Sequence, residues 1–126
     1  MEDFLSKATE RIAHHSCPSV GTHGCLEWQG AKTRNGGYGR LVLGVPGGGK
    51  KEFRVHRLQY MVMNRILEIP RTDENGSLLD VSHLCHNSVC VTPEHLILEL
   101  HSKNMERRSC KAQGLCTKNH TPHCLL

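Results

Sequence analysis

The sequence predicts an α+β fold in which bound metal does part of the work of a core. Three observations predict it. Soft metal ligands crowd into two C-terminal groups, one at Cys85, Cys90 and His95 and one at Cys110, Cys116, His120 and Cys124. Segments of alternating polar and apolar residues lie between glycine turns in the first half, as antiparallel hairpins require. Short stretches with helical spacing of apolar residues flank them. At 126 residues the chain has the size of a single domain. The expected divisions are an N-terminal helix and loop (1–24), basic β-hairpins and a helix (25–70), a strand–loop–helix unit (71–108) and a C-terminal clip (109–126).

The first element is a helix over 3–13, with Phe4, Leu5, Ala8 and Ile12 on one face. His14 to Pro18 breaks it, and the chain is expected to run loosely to Gly24. Cys25 to Gln29 reads as a strand. A turn at Asn35-Gly36-Gly37 follows, and Tyr38 to Leu43 reads as the return strand. The run Gly44-Val45-Pro46-Gly47-Gly48-Gly49 is a hairpin tip rather than a phosphate cradle. A P-loop needs Gly-Lys-Ser/Thr opening a helix, and here Gly49-Lys50 opens the alternating stretch to Val55. A helix takes over near His56, with Leu58, Met61, Val62 and Ile66 on its inner side. Leu78 to His83 is a short strand, and a loop over 84–92 carries two cysteines. Thr92 and Pro93 then suit the N-cap and first position of a helix expected to run to about Arg108.

The seven cysteines and ten histidines point to zinc rather than disulfides. The cysteine count is odd, and the start, Met1-Glu2-Asp3, is acidic where a secretory signal is basic. The expected setting is an intracellular, reducing one: the nucleus in a eukaryote, the cytoplasm in a bacterium or phage. No apolar run approaches the ~20 residues that span a bilayer, so no membrane is expected. Cys85, Cys90 and His95 make three ligands. Cys25 is the expected fourth because it opens the sheet against which the loop must pack; Cys17, His86 and His23 are the alternatives. Cys110, Cys116, His120 and Cys124 make a self-contained clip, in which His123 is the alternative to His120.

Charge is modest at +4 but concentrated. From Gln29 to Arg57 the chain carries Lys32, Arg34, Arg40, Lys50, Lys51, Arg54 and Arg57 against Glu52 alone, a footprint suited to a polyanion. Two residues framed by the ligands are free for chemistry. His83, two residues before Cys85, can take a proton near neutrality. Asn104, expected two and a half turns along the helix from His95, offers a neutral oxygen suited to Mg²⁺.

The series His83-Leu84-Cys85-His86-Asn87, Cys90, Pro93, His95-Leu96, Asn104 and Cys110 resembles the His-Cys box of intron-encoded homing endonucleases. These belong to the ββα-metal (His-Me finger, HNH-like) nucleases. Glu27-Trp28-Gln29-Gly30, Tyr38-Gly39-Arg40 and His56-Arg57 are similar to the N-terminal part of phage-type HNH proteins. The resemblance covers roughly 25–124. It implies a ββα-metal nuclease fold, His83 as general base and Asn104 as the protein ligand of one catalytic Mg²⁺. It also implies one structural zinc on Cys25, Cys85, Cys90 and His95, and a second on Cys110, Cys116, His120 and Cys124. The Cys116–His120 spacing differs from the family's by a residue or two. A transition-state arginine is implied before the central helix; Arg54, His56 and Arg57 compete for it, and Arg54 is the choice. Double-stranded DNA is the implied partner, with Gln29, Lys32, Arg34, Arg40, Lys50 and Lys51 as its contacts, and a homodimer the implied assembly. Family members swap a C-terminal tail across the dimer, and this sequence ends at Leu126. The rival function is a zinc-stabilised DNA-binding module of the same fold without catalysis. A protein-interaction zinc domain is disfavoured because its Cys-x2-Cys knuckles are missing.

Overall fold

Phe4, Leu5, Ala8 and Ile12 are buried along one side of helix α1 (Glu2–His14), the stripe that their spacing sets. Glu2 and Asp3 in its first turn and Arg11 and His14 in its last complement the helix dipole. The structure, a computed structural model, describes residues 2–19, 24–116 and 120–126.

Strand β1 (Ser16–Pro18) follows at once and pairs antiparallel with β2 (Leu26–Trp28). Two expectations are corrected here. The passage after His14 contains a strand, and the partner of the Leu26–Trp28 strand is β1, not the Tyr38–Leu43 segment. Pro18 has no N–H to give a ladder, which is tolerable at the end of an edge strand. The other side of β2 is taken by the cysteine loop. Trp28 N donates to Val89 O at 2.9 Å and Val91 N to Leu26 O at 2.8 Å.

Strands β3 (Arg40–Gly44) and β4 (Lys50–Arg54) form the expected hairpin, in five-residue register from Arg40↔Arg54 to Gly44↔Lys50. Its tip closes through Val45 N to Gly49 O at 3.0 Å, and Gly47, Gly48 and Gly49 all have positive φ. Three successive residues in that region are why the tip is glycine. Leu41, Leu43 and Phe53 turn inward; Arg40, Val42, Lys50, Glu52 and Arg54 turn outward. Gly39, just before β3, packs flat on the indole of Trp28; a Cβ there would lie 2.7 Å from Trp28 Cδ1.

Helix α2 (Val55–Asn64) leaves β4 directly and buries Val55, Leu58 and Met61 against α1 and the sheets. It stops at Arg65, whose left-handed backbone caps it through Met61 O and Val62 O. Strand β5 (Leu79–His83) pairs antiparallel with β6 (Leu96–Leu100), His83 opposite Leu96, and helix α3 (His101–Gln113) follows. This corrects the helix expected from Pro93 to Arg108. Thr92-Pro93 starts only a single 3-10 turn, Pro93–His95, before the chain extends. The apolar stretch Leu96–Leu100 completes the ladder of β5, which would otherwise leave backbone groups of a half-buried strand unpaired. The local unit is therefore strand, loop, strand, helix, and Asn104 sits in the first turns of α3.

The core is continuous from Phe4 and Ile12 through Trp28, Phe53 and Leu58 to Val81, Val91 and Leu96. The C-terminal segment is tied to the cysteine loop by Leu125 N donating to Leu84 O at 2.7 Å.

Candidate active site and metal centres

Cys25, Cys85, Cys90 and His95 come from three places in the chain, and their ligand atoms lie within 4.8 Å of one another. The β2–loop pairing brings Cys25 there. The 3-10 turn presents His95, whose Nδ1 is 3.6 Å from Cys25 Sγ and 3.3 Å from Cys90 Sγ. Tetrahedral zinc with its usual bond lengths sets a sulfur–nitrogen edge of about 3.6 Å, so the cluster fits zinc. The sulfurs also crowd one another. Their hydrogen bond drives the Cys85 thiol far up and holds Cys90 down at about 4. A dication is what lets all three ionise together.

The second cluster, Cys110, Cys116, His120 and Cys124, is equally close-set. His120 Nδ1 lies 3.6, 3.3 and 3.7 Å from the three sulfurs. It too fits a tetrahedron. His120 Nε2 meets Glu106 Oε1 at 3.0 Å, the outer hydrogen bond that fixes a ligating imidazole. Arg107, 1 % exposed, forks onto Glu99 at 2.7 and 3.0 Å and reaches Cys124 Sγ at 3.4 Å. It links the clip to β6 and places a positive charge beside a thiolate-rich centre.

A cleft of about 460 Å³ is lined by Tyr38, Val81, His83, His86, Asn104 and Arg108, with Gly36, Ser88 and Lys111. His83 ends β5 there. Its Nε2 faces Cys90 O at 3.1 Å. A carbonyl only accepts, so Nε2 carries the proton and Nδ1 keeps its lone pair. Burial holds the imidazole down at about 4, partly opposed by Cys90, so it is neutral at neutral pH. The ring leans on His56, centroids 4.7 Å apart, and Tyr38 stacks over both at 5.1 Å from His56 and 6.1 Å from His83. His56 is buried with Nδ1 unpartnered among the described residues, and burial first, then the charges of His83, Arg57 and Arg54, lowers it to about 2. Asn104 reaches the cleft from α3 with its amide nitrogen on Asp80 Oδ2 at 2.9 Å.

The structure therefore gathers both predicted ligand sets and places His83 and Asn104 in one cleft. His120, not His123, contributes to the clip; Cys17 is exposed on β1 and His86 lines the cleft instead of joining the first cluster. His23 lies outside the described residues. Arg54 lies elsewhere. Its guanidinium sits on Glu52 at 2.7 Å, in a separate cavity with Lys51, Arg57 and Arg71, and it does not line the cleft of His83. It is shared out on the hairpin face because Arg40, opposite it in register, takes the other oxygen of Glu52 at 3.1 Å. The two arginines, Arg54 first, hold the Glu52 carboxyl below its ordinary range. Gln29, Lys32, Arg34, Arg40, Lys50 and Lys51 are all exposed. Lys51 Nζ stands 5.3 Å over the ring of Phe53. Sequence reading missed Tyr38, Asp80, Arg108 and Lys111. For the last two a signal existed, since they stand four and seven residues after Asn104 on any helix through it.

A family model described as the zinc-binding loop region of homing endonuclease matches residues 23–125. The chain belongs to this family. The matched span includes both clusters, His83 and Asn104, and with the antiparallel strand pairs it bears out the zinc-stabilised α+β nuclease fold. Membership in the homing-endonuclease family implies a DNA substrate. No curated protein and no solved structure matches the chain. Among the described residues, no helix of this family member is long and apolar enough to cross a membrane.

Proposed function

We propose that the protein is a homing-type or HNH-type endodeoxyribonuclease that hydrolyses phosphodiester bonds with His83 as general base and one Mg²⁺ on Asn104. The observation that carries this reading is the pairing, in one cleft, of a neutral imidazole with a carboxamide, the Nδ1 of one and the oxygen of the other having no hydrogen-bond partner among the described residues. His83 takes the proton of an attacking water at Nδ1, while the Nε2–H bond to Cys90 O stabilises the imidazolium that forms. Tyr38 and His56 hold the ring in its plane and keep bulk water from its faces. Asn104 fits a hard cation because Asp80 takes its NH₂ and leaves Oδ1 for the cleft. Mg²⁺ held there would supply positive charge to the phosphate and the departing 3′-oxygen. Both zinc centres are structural, since four protein ligands fill each tetrahedron. The outward face of the β3–β4 hairpin, with Arg40, Lys50 and Arg54, lies along a DNA groove as two-stranded ribbons do. All of this acts within one domain, whose core runs from α1 to β6.

The test is a Mg²⁺-dependent plasmid nicking assay. His83→Ala should lose at least ~10²-fold in cleavage with zinc content and DNA binding unchanged. Full activity in that variant removes the mechanism; a wild type that binds DNA and never cuts it makes the protein a DNA-binding module of the same fold.

A further inference from the structure

The cleft holds two cations that neither the family match nor the reading above assigns. Asn104, Arg108 and Lys111 stand at i, i+4 and i+7 on α3, so they share one helix face, and all three line the cleft beside His83. Arg108 and Lys111 are exposed. Among the described residues four of the other arginines are ion-paired, while Arg11, Arg34, Arg57 and Arg71 are not and do not line this cleft. Arg40 and Arg54 sit on Glu52, Arg65 on Glu2 and Arg107 on Glu99. Arg108 and Lys111 form no ion pair among the described residues, and no carboxylate lines the cleft. A concave site with two cations, a carboxamide and no lining carboxylate attracts an anion.

We propose that Arg108 and Lys111 are the phosphate-binding pair of this cleft. Arg108 forks onto the non-bridging oxygens of the phosphodiester beside His83 and Asn104, and Lys111, nearly one turn further along α3, meets the adjoining phosphate. The pair takes the role that the resemblance gave to Arg54, and it uses the nuclease reading only to identify the first phosphate as the one cut. Arg suits the first position because its planar fork matches two phosphate oxygens, and Lys suits the second as a point charge.

Both side chains are exposed, so substitution leaves the fold intact, which zinc content and circular dichroism check. Full-length, zinc-loaded Arg108→Ala, Arg108→Lys and Lys111→Ala are compared with wild type in two assays. Binding of a mixed-sequence DNA duplex is followed by fluorescence anisotropy across salt with no divalent ion for cleavage, and single-turnover cleavage is followed with Mg²⁺. Each alanine variant should reduce the slope of log Kd against log salt by about 1. Arg108→Ala should also slow cleavage of bound DNA by about 10²-fold, and Arg108→Lys should restore the slope but only part of the rate. Slopes and rates equal to wild type overturn the pair and leave the nuclease reading standing. A wild type that never cuts, but whose slope falls in both alanine variants, removes the nuclease reading and leaves the pair. A wild type that does not bind the duplex overturns the pair.

Discussion

Asn104 gives its side-chain amide to Asp80 Oδ2 at 2.9 Å, and His101 Nδ1 meets the same oxygen at 2.7 Å. A carboxylate only accepts, so the Asp80 contact fixes which end of Asn104 is nitrogen. The other end is thereby Oδ1, the atom to which the nuclease reading gives Mg²⁺. Asp80→Ala should leave the amide free to rotate. On the nuclease reading, the Mg²⁺ concentration for half-maximal cleavage rises by about 10-fold or more, while zinc content stays at two per chain. A Mg²⁺ titration of cleavage, wild type against variant, checks it; an unchanged midpoint denies Asp80 this role.

Removal of zinc should unfold the C-terminal half. Structural zinc contributes on the order of 10 kcal/mol per site, which exceeds the stability of a typical domain. The first cluster also joins β2 to the cysteine loop, so its loss is felt beyond the loop. Circular dichroism in excess chelator, with zinc assayed as absent, should show lost helix and strand. An unchanged spectrum contradicts the structural role of both clusters.

Arg107 and Glu99 are an ion pair with 1 % and 6 % of their side chains exposed. Arg107→Met leaves Glu99 buried without a partner and strips the cation from Cys124. The expected cost is about 3–5 kcal/mol. Arg65→Met, which breaks the exposed pair with Glu2, should cost less than about 1 kcal/mol. Chemical denaturation of both variants measures the contrast, and equal losses would refute it.

Acid should destabilise the fold partly through His56. Its folded pKa is lowered to about 2, against about 6.5 in an unfolded chain. Between those values the unfolded state binds the extra proton, so stability is full above pH ~6.5 and falls as pH drops below it. The slope from this group is about 1 kcal/mol per pH unit near pH 5.5. His56→Phe should remove that part of the slope, measured by denaturation at pH 7.5 and pH 5.5 with zinc in excess. A slope as steep as wild type would rule out the His56 contribution.

Much of this fold is local in origin and was legible from residue order. The stripe Phe4, Leu5, Ala8, Ile12 can only be one face of a helix, and three glycines after Pro46 can only be a tip. The ligand sets were legible because thiolates and imidazoles are few, soft and closely spaced. Even Cys25 followed from the need for a fourth ligand near the loop. His83 and Asn104 were singled out because they stand free between ligands.

What the tertiary structure decided is pairing, because pairing energies depend on partners far along the chain. Leu96–Leu100 is apolar enough for helix or strand, and the open edge of β5 made it a strand. Leu26–Trp28 could have joined Tyr38–Leu43; the short Ser16–Pro18 strand on one side and the cysteine loop on the other took its two edges first. Arg54 and Arg108 are the same residue type. Glu52 neutralises one of them, and the turn of α3 points the other into the cleft. Sequence supplied the groups capable of chemistry; only the folded chain determined which of them remain uncommitted.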